Sequence, residues 1–195
     1  MNNERVRNIE KVELSDNWYT LTNYNFEYKR EDGSWEKQQR ESYDCGDGAA
    51  ILLYNCQMKT VVLTKQFRMP TYVNGNDNGM MVEVCAGLLD GLSPEACIKK
   101  EALEETGYKI NSVQQVMTTF MCPGSVTQKL YLFMAEYDSS MKIQEGGGAI
   151  HETENIEVLE YPFTEALDMI FKGEIIDAKS IILLQHAAMN GIFED

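Results

Sequence analysis

The chain has 195 residues, of which 44% are hydrophobic and 25% charged, the balance of a globular protein with a substantial core. Its formal net charge is −14, so we expect neither nucleic acid nor a membrane as a partner, because phosphate-rich surfaces need a basic face. No run approaches the roughly 20 apolar residues of a transmembrane helix, the N-terminus lacks the apolar core of a secretory signal, and the five scattered cysteines are typical of reduced thiols in a cytoplasmic protein.

The first 45 residues are rich in strand signals, and we expect them to form a separate β subdomain. Aromatic residues and threonine dominate 18–28, a hairpin signal follows at 31–33, and a second strand is predicted over 35–43. Two or three strands alone are seldom stable in water. Residues 1–45 should therefore pack on the rest of the chain or on a partner subunit, while residues 46–195 form the main domain.

The next segment is predicted to form a hairpin, a polar loop and one further strand. Two apolar runs, 49–54 and 60–64, flank a polar connection and indicate the hairpin. An Asn- and Gly-rich loop over 71–79, a strand over 80–85 and a glycine-containing loop over 86–92 are predicted to follow.

A capped helix is predicted directly after that loop. Ser93 is a favourable N-cap, Pro94 suits the first helical position, and Gly107 ends the helix. The remaining predicted elements are strands over 112–121, 129–137 and 157–161, a flexible loop over 146–153, and helices over 163–172 and 178–189. A mixed sheet with helices indicates an α+β fold, or an α/β fold, built as a layered sandwich.

Three carboxylates near the end of this helix carry the chemical signal. Glu101, Glu104 and Glu105 are spaced i, i+3 and i+4, which places them on one helical face. Like charges at this spacing cost a helix roughly 0.2–0.5 kcal/mol each, whereas Mg²⁺ favours carboxylate oxygens together with water and phosphate oxygens. A solvated acidic face is the alternative for so short a pattern, and the preceding strand, glycine loop and capped helix favour a metal site.

Residues 87–90 and 100–108 together resemble the Nudix box, G-x5-E-x7-R-E-U-x-E-E-x-G-U, where U is aliphatic. Nearly the whole chain is similar to bacterial GDP-mannose pyrophosphatases, which are relatives of ADP-ribose pyrophosphatases. The box is one residue short, its first glutamate falls on Leu92 or Ser93, and its arginine is replaced by Lys100. The resemblance implies a Nudix α/β/α sandwich with a mixed sheet, plus an N-terminal antiparallel β subdomain exchanged between the subunits of a homodimer.

The resemblance also implies the reaction and the metal ligands. The implied reaction is hydrolysis of GDP-mannose to GMP and mannose 1-phosphate with Mg²⁺, or alternatively Mn²⁺. The metal ligands are the Ala86 carbonyl, Glu101 and Glu105, with Glu104 as a further ligand or a residue behind them. An acid from the loop before Ile156 completes the cluster or acts as general base, and its spacing favours Glu154 over Glu152. The implied catalytic set is therefore Glu154, Glu152 and Glu105.

The implied substrate contacts come from both parts of the chain. Arg68 has a guanidinium fork that suits a phosphate or a base edge, and Lys179 would also touch the substrate. Arg40 and Glu41 would reach the nucleotide of the neighbouring subunit, and Trp18 would stack near its base. Gln128 stands where the family has an acidic residue. The full implied set is Trp18, Gln39, Arg40, Glu41, Arg68, Ala86, Gly87, Leu88, Gln128 and Lys179.

Two alternatives to GDP-mannose hydrolysis remain open at this point. The first is the same chemistry on ADP-ribose or another nucleoside-diphosphate sugar, because base choice depends on few contacts. The second is a non-catalytic Nudix module that binds a nucleotide sugar, which the missing first box acid suggests. The three helix carboxylates favour the enzyme.

Overall fold

The computed structural model describes residues 4–149 and 155–193. The chain divides into two compact units. The first, called here the N-terminal unit, comprises Met1–Asp47 and Phe120–Lys129. The second, called the main unit, comprises Gly48–Thr119 and Leu130–Asp195.

The N-terminal unit contains an antiparallel sheet of three strands in the order β1-β2-β3. The strands are β1 Val6–Asp16, β2 Thr20–Lys29 and β3 Trp35–Asp44. The predicted hairpin corresponds to β2 and β3, which turn at Gly33 with φ 84°. The sequence pattern did not delimit β1, because its residues are mostly polar and exposed and it is defined by its pairing with β2.

The main sheet has seven strands and mixed direction. Its order is β10-β5-β4-β9-β8, with β6 beside β5 and β7 beside β4. The β4–β9 pair is parallel, whereas β5 pairs antiparallel with β4, β6 and β10. The strands are β4 Gly48–Asn55, β5 Thr60–Phe67, β6 Met80–Glu83, β7 Cys85–Leu88, β8 Gln114–Phe120, β9 Lys129–Glu136 and β10 Glu157–Pro162.

The three longer helices agree with the predicted positions: α2 Pro94–Thr106, α3 Phe163–Phe171 and α4 Ala178–Met189. Two short elements were not predicted: the single turn α1 Met69–Tyr72, which overlaps the loop expected over 71–79, and a 3₁₀ helix at Ser139–Met141. Within the part of the chain that the structure describes, none of these helices is long and apolar enough to cross a membrane.

Helices cover both faces of the central strand β4. Its alternate residues belong to a buried cluster with the apolar side of α2, comprising Ala49, Ile51, Leu53, Cys97, Ile98 and Ala102 among others. The intervening Ala50 and Leu52 are also fully buried and face the other way, because side chains alternate along a strand. Helix α4 packs on β4 as well. The predicted α+β sandwich with a mixed sheet and an N-terminal antiparallel sheet is confirmed.

One predicted loop is partly wrong. Residues 86–92 were expected to be irregular, but Ala86–Leu88 continue as strand β7 and pair antiparallel with Gly48–Ala50 of β4. The partner strand supplies hydrogen bonds that no local pattern reveals. The turn itself begins after Leu88 and uses left-handed backbone at Asp90 and Gly91, with φ 45° and 83°.

Candidate active site

Helix α2 is fixed at both ends by the residues that predicted it. The Ser93 hydroxyl accepts a hydrogen bond from the Ala96 amide at 3.3 Å, and Pro94 occupies the first turn. Gly107 adopts φ 82° and donates its amide to the Leu103 carbonyl. Ser93, one of the two positions on which the missing box acid could fall, therefore has a structural role as the helix cap.

The carboxylates of Glu101 and Glu105 lie against the same backbone segment, Ala86–Gly87 of β7. Glu105 is 1% exposed, and its Oε2 accepts the Ala86 amide at 3.3 Å. A Cβ added to Gly87 would stand 2.7 Å from Glu101 Oε1 and closer to the rest of that carboxyl group. Glycine at position 87 is thus what allows Glu101 to approach the strand.

Glu104 has a different environment. Its Oε2 lies 2.7 Å from Lys100 Nζ, and its side chain is 33% exposed. Lys100 Nζ is also 3.5 Å from Glu101 Oε1, so the residue that replaces the box arginine keeps a positive charge beside these carboxylates. Among residues 4–149 and 155–193, no group of three or more His, Cys, Asp or Glu side chains is placed to hold a metal ion. The described residues therefore provide a carboxylate pair, and their role as ligands stays a prediction.

A glycine loop is attached to the C-terminal end of α2. The Gly147 amide donates to the Glu105 carbonyl at 2.8 Å, and the Gly148 amide donates to the Glu104 carbonyl at 3.1 Å. The Ile156 amide in turn donates to the Gly147 carbonyl at 3.1 Å. The described residues on both sides of segment 150–154 are therefore tied to the helix end beside Glu105.

The predicted general base falls in that segment. Glu152 and Glu154 lie outside the described residues, so their assignment stays a prediction. What supports it is the attachment of Gly147 and Gly148 to the carbonyls of Glu105 and Glu104.

A second charged cluster in the main unit centres on Glu83, which the sequence reasoning missed. Glu83 Oε2 accepts Arg68 Nε at 2.7 Å, and Glu83 Oε1 accepts Lys179 Nζ at 2.5 Å. Lys179 Nζ also donates to Asp177 at 2.9 Å. Two of the predicted substrate-binding residues, Arg68 and Lys179, are thus brought together although they are far apart in the sequence.

The electrostatics of this cluster favour its charged form. Burial by itself would raise the pKa of Glu83, but the positive charges of Lys179 and Arg68 outweigh burial and lower that pKa below its ordinary value. Burial would lower the pKa of Lys179, but the carboxylates of Glu83 and Asp177 outweigh it and raise that pKa. Both groups are therefore ionised at neutral pH.

The two clusters are close along the chain. Glu83 ends β6, and Ala86 follows it by three residues in β7. Three residues of extended chain span about 10 Å. The Glu83 cluster and the Glu101–Glu105 pair therefore lie at neighbouring parts of the main unit.

Two buried thiols border the carboxylate pair. Burial, reinforced by the nearby Glu105 carboxylate, holds the pKa of Cys85 well above its ordinary value. Burial is also the main cause that raises the pKa of Cys97 to about 11, and its Sγ donates to the Leu88 carbonyl at 3.2 Å. Both are neutral thiols at physiological pH, so they add no negative charge beside the glutamates.

The predicted substrate contacts of the N-terminal unit are accessible. Trp18 is 85% exposed, with its ring edge-on to Tyr19. Arg40 donates to the Gln39 carbonyl at 2.6 Å, and both residues are exposed on β3, as is Glu41. In the same unit, the Gln128 amide donates to the Gly46 carbonyl at 3.0 Å, an ordinary loop contact. Their roles in substrate binding stay predictions.

The main unit combines a carboxylate pair beside a strand backbone with two cations that share one buried carboxylate. Hard oxygen donors suit a divalent cation, and Arg with Lys suits phosphate, so this combination of groups is typical of enzymes that handle phosphates with a metal ion. The chain belongs to the NUDIX domain family, whose model matches residues 46–184. A second model, described as the GDP-mannose pyrophosphatase NudK N-terminal domain, matches residues 5–43.

Curated relatives match almost end to end. A GDP-mannose pyrophosphatase of Pectobacterium atrosepticum is 55% identical, with 95% of each chain covered. A protein of the same name from Cronobacter sakazakii is 50% identical, with 96% of this chain and 98% of the relative covered. Another from Yersinia pestis is 52% identical, with 95% of this chain and 93% of the relative covered. The prediction of a Nudix hydrolase that resembles this branch is confirmed.

Proposed function

We propose that the chain hydrolyses the diphosphate bond of a nucleotide sugar, with GDP-mannose as substrate and GMP and mannose 1-phosphate as products. The observation that carries this proposal is the placement of Glu101 and Glu105 against the Ala86–Gly87 backbone. The choice of substrate is supported by relatives named GDP-mannose pyrophosphatase, which are 50–55% identical over 95–96% of this chain.

The metal of this reaction is Mg²⁺, with Mn²⁺ as a substitute. Glu101, Glu105 and the Ala86 carbonyl would hold it, because this set of hard oxygen donors fits a small divalent cation. Glu154, or else Glu152, contributes a further carboxylate, and Glu104 stands beside the pair. When bound, the metal neutralises charge on the diphosphate oxygens and lowers the pKa of a bound water.

Other residues accept the proton of the attacking water and bind the substrate. Glu154 or Glu152 accepts the proton of the attacking water as general base. Arg68 and Lys179 bind diphosphate oxygens, since the Arg68 side chain is 39% exposed while its Nε is anchored on Glu83. The backbone of Ala86–Leu88 lines the substrate. At the nucleoside end, Arg40 and Glu41 reach the nucleotide of the neighbouring subunit and Trp18 stacks near its base, with Gln39 and Gln128 as further contacts.

The functional unit is a homodimer in which residues 1–45 form the dimerising β subdomain and residues 46–195 the Nudix domain. Strand β1 supports this proposal, because it is an edge strand and its apolar side chains Ile9, Val12 and Leu14 are each 47–48% exposed, and exposed apolar side chains on an edge strand invite pairing. Light scattering should give twice the 22.2 kDa chain mass. Val12→Lys should shift the mass towards one chain, and a native mass of one chain contradicts the dimer.

The cytoplasm is the compartment that fits the thiols of the chain. Cys56 and Cys122 are free and exposed, and exposed free thiols persist in a reducing environment. Cell fractionation checks this, and recovery with the secreted proteins contradicts it.

A substrate panel tests the activity directly. The protein is incubated with Mg²⁺ and, separately, GDP-mannose, ADP-ribose, UDP-glucose or a diadenosine polyphosphate, and the products are resolved by ion-exchange chromatography. GDP-mannose should give GMP and mannose 1-phosphate in equal amounts, and EDTA should stop the reaction. Turnover of ADP-ribose alone contradicts the substrate, and turnover of none contradicts the enzyme.

A further inference from the structure

Glu83 is a buried carboxylate that joins three separate elements of the main unit. It ends β6, while Arg68 follows β5 and Lys179 lies in the first turn of α4. The Glu83 side chain is 6% exposed, compared with 39% for Arg68 and 12% for Lys179. The negative charge is thus innermost, and the cations lie towards the surface.

Each carboxylate oxygen of Glu83 binds one of the two cations. Oε2 accepts a hydrogen bond from Arg68 Nε at 2.7 Å, which leaves the two terminal nitrogens of the guanidinium for other partners. Oε1 takes Lys179 Nζ at 2.5 Å. The Lys179 ammonium group has three N–H donors, and a second one donates a hydrogen bond to Asp177. One planar carboxylate therefore fixes the spacing and the direction of both cations.

Stability alone does not account for this arrangement. A buried ion pair contributes little net stability, because the cost of removing both charges from water offsets their attraction. A lysine in the first turn of a helix is also unfavourable, since that end of the helix is positive. The cluster does, however, hold two cations in place within a chain of net charge −14, where a phosphate-bearing substrate would otherwise meet a repulsive field.

We infer that Glu83 is a positioning residue, which holds Arg68 and Lys179 as a preorganised receptor for the diphosphate of the substrate. This inference rests on the proposed function, in which those two cations contact the diphosphate. In this role Glu83 acts through its two partners, Arg68 and Lys179, with which its carboxylate is hydrogen-bonded. Preorganisation matters because each long side chain otherwise loses rotamer freedom when the substrate binds.

The test is Glu83→Gln, which keeps the shape and removes the charge. KM for GDP-mannose should rise by about 10-fold or more while kcat changes by less than about 3-fold, because substrate binding is the step that the two cations serve. Glu160→Gln is the matched control, since Glu160 accepts Tyr137 and Thr60 hydroxyls elsewhere on the sheet and should leave KM unchanged. An unchanged KM in Glu83→Gln overturns the inference.

A double-mutant cycle separates positioning from a general loss of structure. If Glu83 acts through Lys179, then adding Glu83→Gln to Lys179→Met should raise KM by much less than it does in the native background. If instead the two substitutions raise KM independently, so that their fold-changes multiply in the double mutant, the inference is overturned. If Glu83→Gln does not fold by circular dichroism, Glu83→Asp retains the charge but retracts it, and the same cycle is read with that variant.

A binding measurement keeps this inference apart from the proposed function. Calorimetry with GDP-mannose in EDTA, where no turnover occurs, should show about 10-fold weaker affinity for Glu83→Gln than for the native chain. Equal affinities overturn the role of Glu83 even if the native chain is an active pyrophosphatase. Weaker binding by the variant, in a chain that hydrolyses nothing, supports Glu83 and contradicts the proposed activity.

Discussion

Glu105→Gln is expected to lower Mg²⁺-dependent kcat by at least about 100-fold, because loss of a residue that only supports a metal ligand already costs about 10–100-fold in many metal sites. Glu105 is 1% exposed and lies against the Ala86 amide. The amide of glutamine has nearly the same shape and still offers an oxygen to that N–H, so the helix should persist. Steady-state kinetics over a range of Mg²⁺ concentrations measures the loss.

Glu95→Gln is the matched control for this prediction. Glu95 is on the same helix and forms an i,i+4 pair with Lys99 at 2.6 Å, but its side chain is 61% exposed. Its substitution should leave kcat and the Mg²⁺ dependence unchanged. A second readout is thermal: Mg²⁺ should raise the Tm of the native protein, because a ligand that binds only the folded state stabilises it, and should not raise that of Glu105→Gln. Activity within a few-fold of native, with a preserved Mg²⁺ shift in Tm, would remove Glu105 from the metal site.

The sequence predicted those parts of the molecule whose signals are local. Helix α2 begins and ends where Ser93, Pro94 and Gly107 indicate, because capping residues act within one turn. Residues Ala86–Leu88 of strand β7 were wrongly predicted as a loop, since the evidence for that strand is its pairing with β4. Strand β1 was missed for the same reason, as it is polar and defined by β2.

The same distinction between local and long-range signals applies to the candidate site. Glu101 and Glu105 are recognisable from their spacing on one helix, and the structure places both against β7. The role of Glu83 could not be predicted from the sequence, because a single acid at the end of a short strand forms no pattern. Its partners lie 15 and 96 positions away. The only signal was an acidic residue directly after a Met-Met-Val strand, where an apolar side chain would be ordinary. Such a residue is a prompt to look for distant cations, but it does not say which ones.

Gly87→Ala should lower the metal-dependent activity while the main unit stays folded. The backbone at Gly87 is ordinary strand, so alanine fits its conformation. The added Cβ, however, would stand 2.5 Å from Cγ and 2.7 Å from Oε1 of Glu101. The obstructing atoms are the far end of a flexible side chain, so Glu101 can swing away while the strand stays paired with β4.

The displaced Glu101 carboxylate sets the expected size of the effect. We expect the Mg²⁺ concentration for half-maximal activity to rise by about 10-fold or more and kcat/KM to fall by about 100-fold, whereas packing strain should cost no more than about 1–3 kcal/mol of unfolding free energy. Gly124→Ala is the control, because a Cβ there meets nothing within 4 Å and its backbone is not left-handed. A native Mg²⁺ dependence in Gly87→Ala would mean that Glu101 does not need its place beside β7 to hold the metal. The close approach at Gly87 would then be a packing feature, and Glu105 would carry the site without it.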